Sequence, residues 1–209
     1  MTKRLLALSL GILTSISVSA SVITYDNRTT NAGVDKTDYQ SSWNAQTTEI
    51  RSRDLTTFTK VLPQRPDRKH AQHSHLNISF DVSQEKAGQN WWFQFSPDAG
   101  LGGEIYFDGN LVERNTTDLW WGYRWSRGSE LLEAVIDGLD SGTHTLDLFW
   151  AEGCCNGGQS GRFSVDDGAT WLAVSTDNLN AVGVPEPGTL ALLGLGLVGL
   201  VFSRRQQKS

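Results

Sequence analysis

Apolar and polar residues alternate with a period of two through most of this chain, and that rhythm predicts short β-strands. Leu76, Ile78, Phe80 and Val82 alternate with Asn77, Ser79 and Asp81, the pattern of a strand with one face buried and the other wet. Trp91, Phe93 and Phe95 repeat it, as do Leu119, Trp121, Tyr123 and Trp125, and again His144, Leu146, Leu148 and Trp150. Ile105-Tyr106-Phe107, Asp108-Gly109-Asn110 and Leu111-Val112 read as a hairpin, because Asp-Gly supplies the positive φ of a tight turn. Phe163 with Val165, and Leu172 with Val174, add two further strands. Residues 129–136 fit either a short helix or a strand, and residues 26–70 fit either strands or a long loop. No segment of the body carries a sustained 3.6-residue stripe. Eight or so short strands separated by Gly and Asp turns predict an all-β fold, an antiparallel, jelly-roll-like β-sandwich.

The ends follow a different pattern. Lys3 and Arg4 precede the apolar stretch Leu5 to Ile16, and Val18-Ser19-Ala20 offers small residues, so residues 1–20 read as a secretory signal peptide cleaved after Ala20. At the other end Val184-Pro185-Glu186-Pro187-Gly188 leads into an apolar run from Leu190 to Phe202, then Arg204-Arg205. The stretch from Gly188 to Ser203 falls just short of the ~20 residues that span a bilayer. Gly194, Gly196 and Gly199 also thin its surface. Residues 189–203 are therefore expected to form a marginal transmembrane helix, with 204–209 as a basic cytoplasmic tail. Between the ends lie one domain, residues 21–180, long enough for a core, and a linker at 181–188.

Charge narrows the partners. Over residues 21–183 the chain's 18 basic residues fall to 13 and its 23 acidic residues to 22, a net charge of −9. A nucleic-acid partner is disfavoured, because phosphate binding needs the opposite field. Six of these 13 cations cluster: Arg51, Arg53, Lys60, Arg65, Arg68 and Lys69 lie near His70, His73 and His75. This stretch reads as a face for an acidic polysaccharide or lipid headgroup, or as a solvated basic loop.

Candidate chemistry is sparse. Cys154 and Cys155 are the only cysteines and are adjacent. Export favours their oxidation, and Gly153, Gly157, Gly158 and Gly161 give the backbone the freedom a vicinal ring needs. Such a ring either presents an apolar platform to a sugar or only stiffens the loop; two intermolecular bridges are the third reading. In Trp91-Trp92 and Trp120-Trp121 one indole of each pair faces the core. Trp92 and Trp120 then lie on the outer face, either as binding surface or beneath the N-terminal segment. His73 and His75 share one face of an extended chain and suit a transition metal, but no cysteine or suitable carboxylate completes the site, and a polar loop explains them as well. Asp166-Asp167-Gly168 and Asp137-Gly138 invite calcium, yet such sequences are first of all turn formers. Glu104 and Glu152 are carboxylates that serve a glycosidic reaction only at the required separation. None of the stronger catalytic signatures occurs.

Two resemblances add to this. Pro185-Glu186-Pro187, the apolar run and Arg204-Arg205, in that order, resemble the PEP-CTERM sorting signal of Gram-negative bacteria. The resemblance implies an exosortase-type partner, an inner-membrane intermediate, and delivery to periplasm, cell surface or extracellular matrix. It also implies that sequons at Asn27, Asn77 and Asn115 are incidental. The centre is similar to protective-antigen-type sandwich domains of toxins, glycosidases and yeast adhesins. The likeness rests on Phe95-Ser96-Pro97-Asp98-Ala99-Gly100, on the 105–112 hairpin, and on Leu139-Asp140-Ser141-Gly142-Thr143-His144 leading into a strand. Members of that family that bind calcium and sugar carry two consecutive aspartates in the first loop, where only Asp98 stands here. Glu152-Gly153-Cys154-Cys155-Asn156-Gly157 further resembles PEP-CTERM proteins with a Cys-Cys-x-Gly motif.

The resulting expectation is an exported, non-catalytic envelope or matrix module associated with exopolysaccharide, contacted through Trp92, Trp120, Cys154, Cys155 and Asn156. No cofactor is expected unless the calcium reading holds. The rivals are an adhesive protein that binds other proteins, and a small glycan-modifying hydrolase or lyase.

Overall fold

A computed structural model describes residues 20–64 and 70–183. The signal peptide before Ala20, the sorting helix and the basic tail lie outside the described residues. The elements run β1 (Val22–Thr29), α1 (Tyr39–Ala45), β2 (Arg51–Asp54), β3 (Gln72–Val82), β4 (Gln89–Ser96), β5 (Asp98–Ala99) and β6 (Gly103–Phe107). They continue with β7 (Asn110–Asn115), β8 (Leu119–Trp120), β9 (Leu132–Leu139), β10 (Gly142–Glu152), β11 (Ser160–Ser164), β12 (Leu172–Ala173) and α2 (Thr176–Gly183). A six-stranded sheet, in the order β2-β1-β3-β10-β6-β7, faces a four-stranded sheet, β12-β11-β4-β9, and β5 and β8 form a separate two-stranded ribbon.

The alternating residues meet between the two sheets. Leu76, Ile78 and Phe80 of β3 and Leu146, Leu148 and Trp150 of β10 pack with Trp91, Phe93 and Phe95 of β4 and Phe163 of β11. Aromatic rings carry much of the contact: Phe80 and Trp91 lie 5.3 Å apart, and Trp91 and Phe163 stack at 5.7 Å. Each such ring removes a large apolar area from water and adds a preferred ring geometry. The 105–112 hairpin is present, with Asp108 and Gly109 at φ 46 and 76. Residues 132–139 are the strand β9, preceded by one 3-10 turn at Gly128–Glu130.

Three features depart from the sequence pattern. The strand expected over Leu119 to Trp125 stops at Trp120, because Gly122 and Tyr123 are consecutive left-handed residues, φ 56 and 60, which turn the chain away. Within residues 26–70, one segment is the helix α1, capped by the Asp38 carboxylate accepting Ser41 N–H at 2.8 Å. Tyr39 and Trp43 of α1 cover Phe149 on the outer face of the large sheet. At seven residues α1 is too short for a stripe to emerge from sequence. Finally, α2 carries the body to Gly183, three residues past the boundary expected at 180. Gly183 is buried with no room for a Cβ above the Asp81 carbonyl.

Candidate functional site

The end of the sandwich beyond β10 gathers three loops. The ribbon sets Asp98 of β5 opposite Trp120 of β8, while β10 delivers Glu152 to the start of the cysteine loop. Glu152 is 7% exposed and Asp98 8%, so both carboxyls need partners. Glu152 accepts Gly100 N–H at 2.6 Å and Cys154 N–H at 2.9 Å. Asp98 accepts the Gly157 N–H and lies within hydrogen-bond reach of Glu152. Burial, aided by the Glu152 charge and opposed by the Gly157 N–H, pushes the Asp98 pKa up to about 7. Asp98 thus keeps its proton up to near neutrality, and the two side chains clamp residues 154–157 onto the 98–100 turn.

On this clamp the surface is apolar. Cys154 and Cys155 are bonded to one another and exposed, and Cys155 takes φ 67. The Trp120 ring rests on Gly157, where a Cβ would come within 2.7 Å of Cζ3. That contact explains the glycine, and it leaves the indole 37% exposed beside the cysteine loop.

A row of rings continues from Trp120. Tyr123 meets Trp120 edge-on at 5.6 Å and Trp121 at 5.2 Å, and Trp121 lies 5.0 Å from Trp125. Trp121 is buried, donating its indole N–H to the Gly158 carbonyl at 3.1 Å. Trp125 and Trp171 then sandwich the Arg162 guanidinium, at 4.5 and 4.2 Å. The rings border a groove of about 310 Å³.

The structure sorts the expected site residues. Trp120, Cys154 and Cys155 come together at the surface. Asn156 does not: it is 1% exposed, and its amide donates to the His70 carbonyl at 3.3 Å. Trp92 lies elsewhere, half-buried on the outer face of the smaller sheet, with the Gly168 turn against its ring. Asp166 and Asp167 belong to that turn, where Asp166 accepts the Ser164 hydroxyl at 2.6 Å and Thr170 N–H at 2.8 Å. Glu104 is fully buried and held by Gln40 N–H, Tyr106 and Arg114. His73 and His75 lie on β3 rather than in a loop: His75 Nε2 contacts Asp147 at 2.8 Å, and His73 stacks on Trp43. Among the described residues no group of three His, Cys, Asp or Glu is placed to hold a metal. The Asp98 and Glu152 pair does not fit calcium, because three of its four oxygens accept backbone N–H groups that would repel a cation. Sequence reasoning missed Tyr123, Trp125, Arg162 and Trp171 as neighbours; Gly122 inside the Leu119 to Trp125 pattern was the available signal of a break.

The chain leaves this body at Gly183, and a protein-family comparison matches from the same residue. Residues 183–205 match the PEP-CTERM protein-sorting motif. The PEP-CTERM signal marks the protein as exported and implies exosortase processing. Among the described residues no helix is long and apolar enough to cross a membrane, and the expected span at 189–203 lies outside them. In fold the body is similar to the PA14 domain of the MpAFP antifreeze protein, with TM-score 0.53 and 13% identity over 81% of this chain and 94% of that one. An anti-sigma factor domain-containing protein gives TM-score 0.50 and 9% identity over 79% of this chain and 50% of that one. A PA14 sugar-binding domain from an RTX adhesin gives 0.49 and 8% over 76% and 97%. The likeness to the MpAFP domain establishes the fold, a PA14-type β-sandwich, and at 13% identity no function. No curated protein matches the chain in sequence.

Proposed function

We propose that this exported PEP-CTERM protein is a non-catalytic module that associates with exopolysaccharide of the cell envelope or matrix. The observation that carries the reading is the surface shared by the exposed Trp120 indole and the exposed Cys154-Cys155 pair. A flat ring beside a compact apolar loop suits the C–H face of a sugar, and the Asp98 and Glu152 clamp fixes that loop before any ligand arrives. The non-catalytic part is supported by the acids themselves. Asp98 and Glu152 give three of their four oxygens to backbone N–H groups of the loops they clamp together, at Gly100, Cys154 and Gly157. Glu104 is sealed under α1 and spent on Arg114 at 2.8 Å.

The test is retention of the exported protein on its host's own extracellular polymer. Trp120→Ala is expected to weaken retention about tenfold, while Trp120→Phe keeps most of it. Unchanged retention in Trp120→Ala counts against the reading. A glycan array that stays blank while matrix proteins are captured favours the protein-binding rival.

A further inference from the structure

From the ring-lined groove we infer a second, charge-selective subsite: it takes a sugar unit bearing a carboxylate, so the polymer bound is acidic. This deepens the glycan reading and rests on it. The groove lies between Lys60 on the loop after β2 and the outer face of β11 and β12, with Tyr123, Trp125 and Trp171 along it. Its lining contains Lys60 and Arg162 and no aspartate or glutamate, although the body has 22 acidic residues against 13 basic. Within an anionic body this groove is locally cationic, and such a local field selects a negative ligand.

Both cations are held ready. Arg162 is gripped between Trp125 and Trp171, and its Nε donates to Gln94 Oε1 at 2.7 Å, which orients the guanidinium. Glu133, the acid nearest in influence, is engaged instead by the Gln94 amide at 2.6 Å. Lys60 lies over the Tyr123 ring at 5.4 Å. Among the described residues neither cation forms an ion pair with a carboxylate. A guanidinium with free N–H groups beside aromatic faces meets both parts of a uronate: the fork matches the carboxylate and the rings match the sugar's C–H face. Tyr123 touches both Trp120 and the groove, so consecutive sugars of one chain reach from the groove to the cysteine loop.

The experiment uses the full chain produced in an exporting host, with polygalacturonate and its carboxyl-reduced neutral form as probes, read by affinity electrophoresis and tryptophan fluorescence. The wild type is expected to bind polygalacturonate at least tenfold more tightly than the reduced polymer, with binding that weakens as salt rises. Lys60→Gln and Arg162→Gln should each lose several-fold in affinity for the acid and nothing for the neutral polymer, while Arg162→Lys keeps part of it. Lys60 is exposed, so its variant remains informative if Arg162→Gln fails to fold. Equal binding of the two polymers, or full affinity in Lys60→Gln and correctly folded Arg162→Gln, overturns the proposal. If those variants bind normally and Trp120→Ala does not, the loop reading stands and the groove fails. If Trp120→Ala binds normally and the cation variants do not, the groove stands and the loop fails.

Discussion

Replacing Asp98 by asparagine isolates the proton that Asp98 carries at the base of the cysteine loop. In the folded chain burial and the Glu152 charge raise the Asp98 pKa from 3.8 to about 7, against the Gly157 N–H. A folded pKa above the unfolded one means that the native state binds more protons between those values. This group's contribution is fully present below pH ~4 and is lost as pH rises through ~7. At 1.36 kcal/mol per pKa unit the loss is ~4 kcal/mol, which solvent access at the loop reduces to ~2 kcal/mol. Asparagine copies the protonated acid: its carbonyl accepts the Gly157 N–H and its amide donates to Glu152. Asp98→Asn is therefore expected to match the wild type at pH ~3.5, below the unfolded pKa, and to exceed it by ~2 kcal/mol at pH 8, ~4–8 °C in Tm. Urea unfolding of both proteins at the two pH values reads this directly, since all other titrations cancel in the difference. An equal effect at both pH values, or a variant less stable at pH 8, refutes the raised Asp98 pKa.

Three further outcomes are expected. His73 is fully buried on Trp43 with no hydrogen-bond partner among the described residues on either ring nitrogen, and burial with the nearby Arg28 charge lowers its pKa to about 4. The unfolded chain then binds more protons between pH 6.5 and 4, so His73 withdraws at most ~3 kcal/mol of stability across that fall; His73→Leu should flatten this limb of the denaturation profile, and an unchanged slope refutes it. Gly157→Ala places a Cβ 2.7 Å from the Trp120 ring and 3.0 Å from Asp98 Oδ2; a cost of ~1–3 kcal/mol with a shifted tryptophan emission is expected, and identical spectra and melting count against that packing. Because Cys154 and Cys155 are adjacent, their bond closes almost no chain, and Cys154→Ser with Cys155→Ser should cost only about 1 kcal/mol. Intact mass after alkylation should show no labelled thiol until reductant is added, and labelling without it removes the vicinal pair.

Local pattern settled much of this protein. The strand cores at 76–82, 91–95 and 144–150 follow from alternation alone, because a residue pointing to the core of a two-layer fold must be apolar and its neighbour need not be, whereas the polar start of β3 at 72–75 does not. The Asp108-Gly109 turn and the sorting motif at 183–205 are equally local, each carried by a contiguous run of residues. Helix α1 escaped because it is short and packs through only two large side chains. The candidate site was half legible: Trp120 and the cysteines were visible as residue types, but their meeting depends on the β5 and β8 ribbon and on the separate loop that follows β10. Only the tertiary structure put Asp98 beside Glu152, sank Asn156, moved Trp92 away and set Arg162 between two indoles. The physical reason is that alternation constrains which side of a strand faces inward, whereas the loop backbone, through left-handed residues such as Gly122 and Tyr123 and the absent side chain of Gly157, decides which outward residues become neighbours.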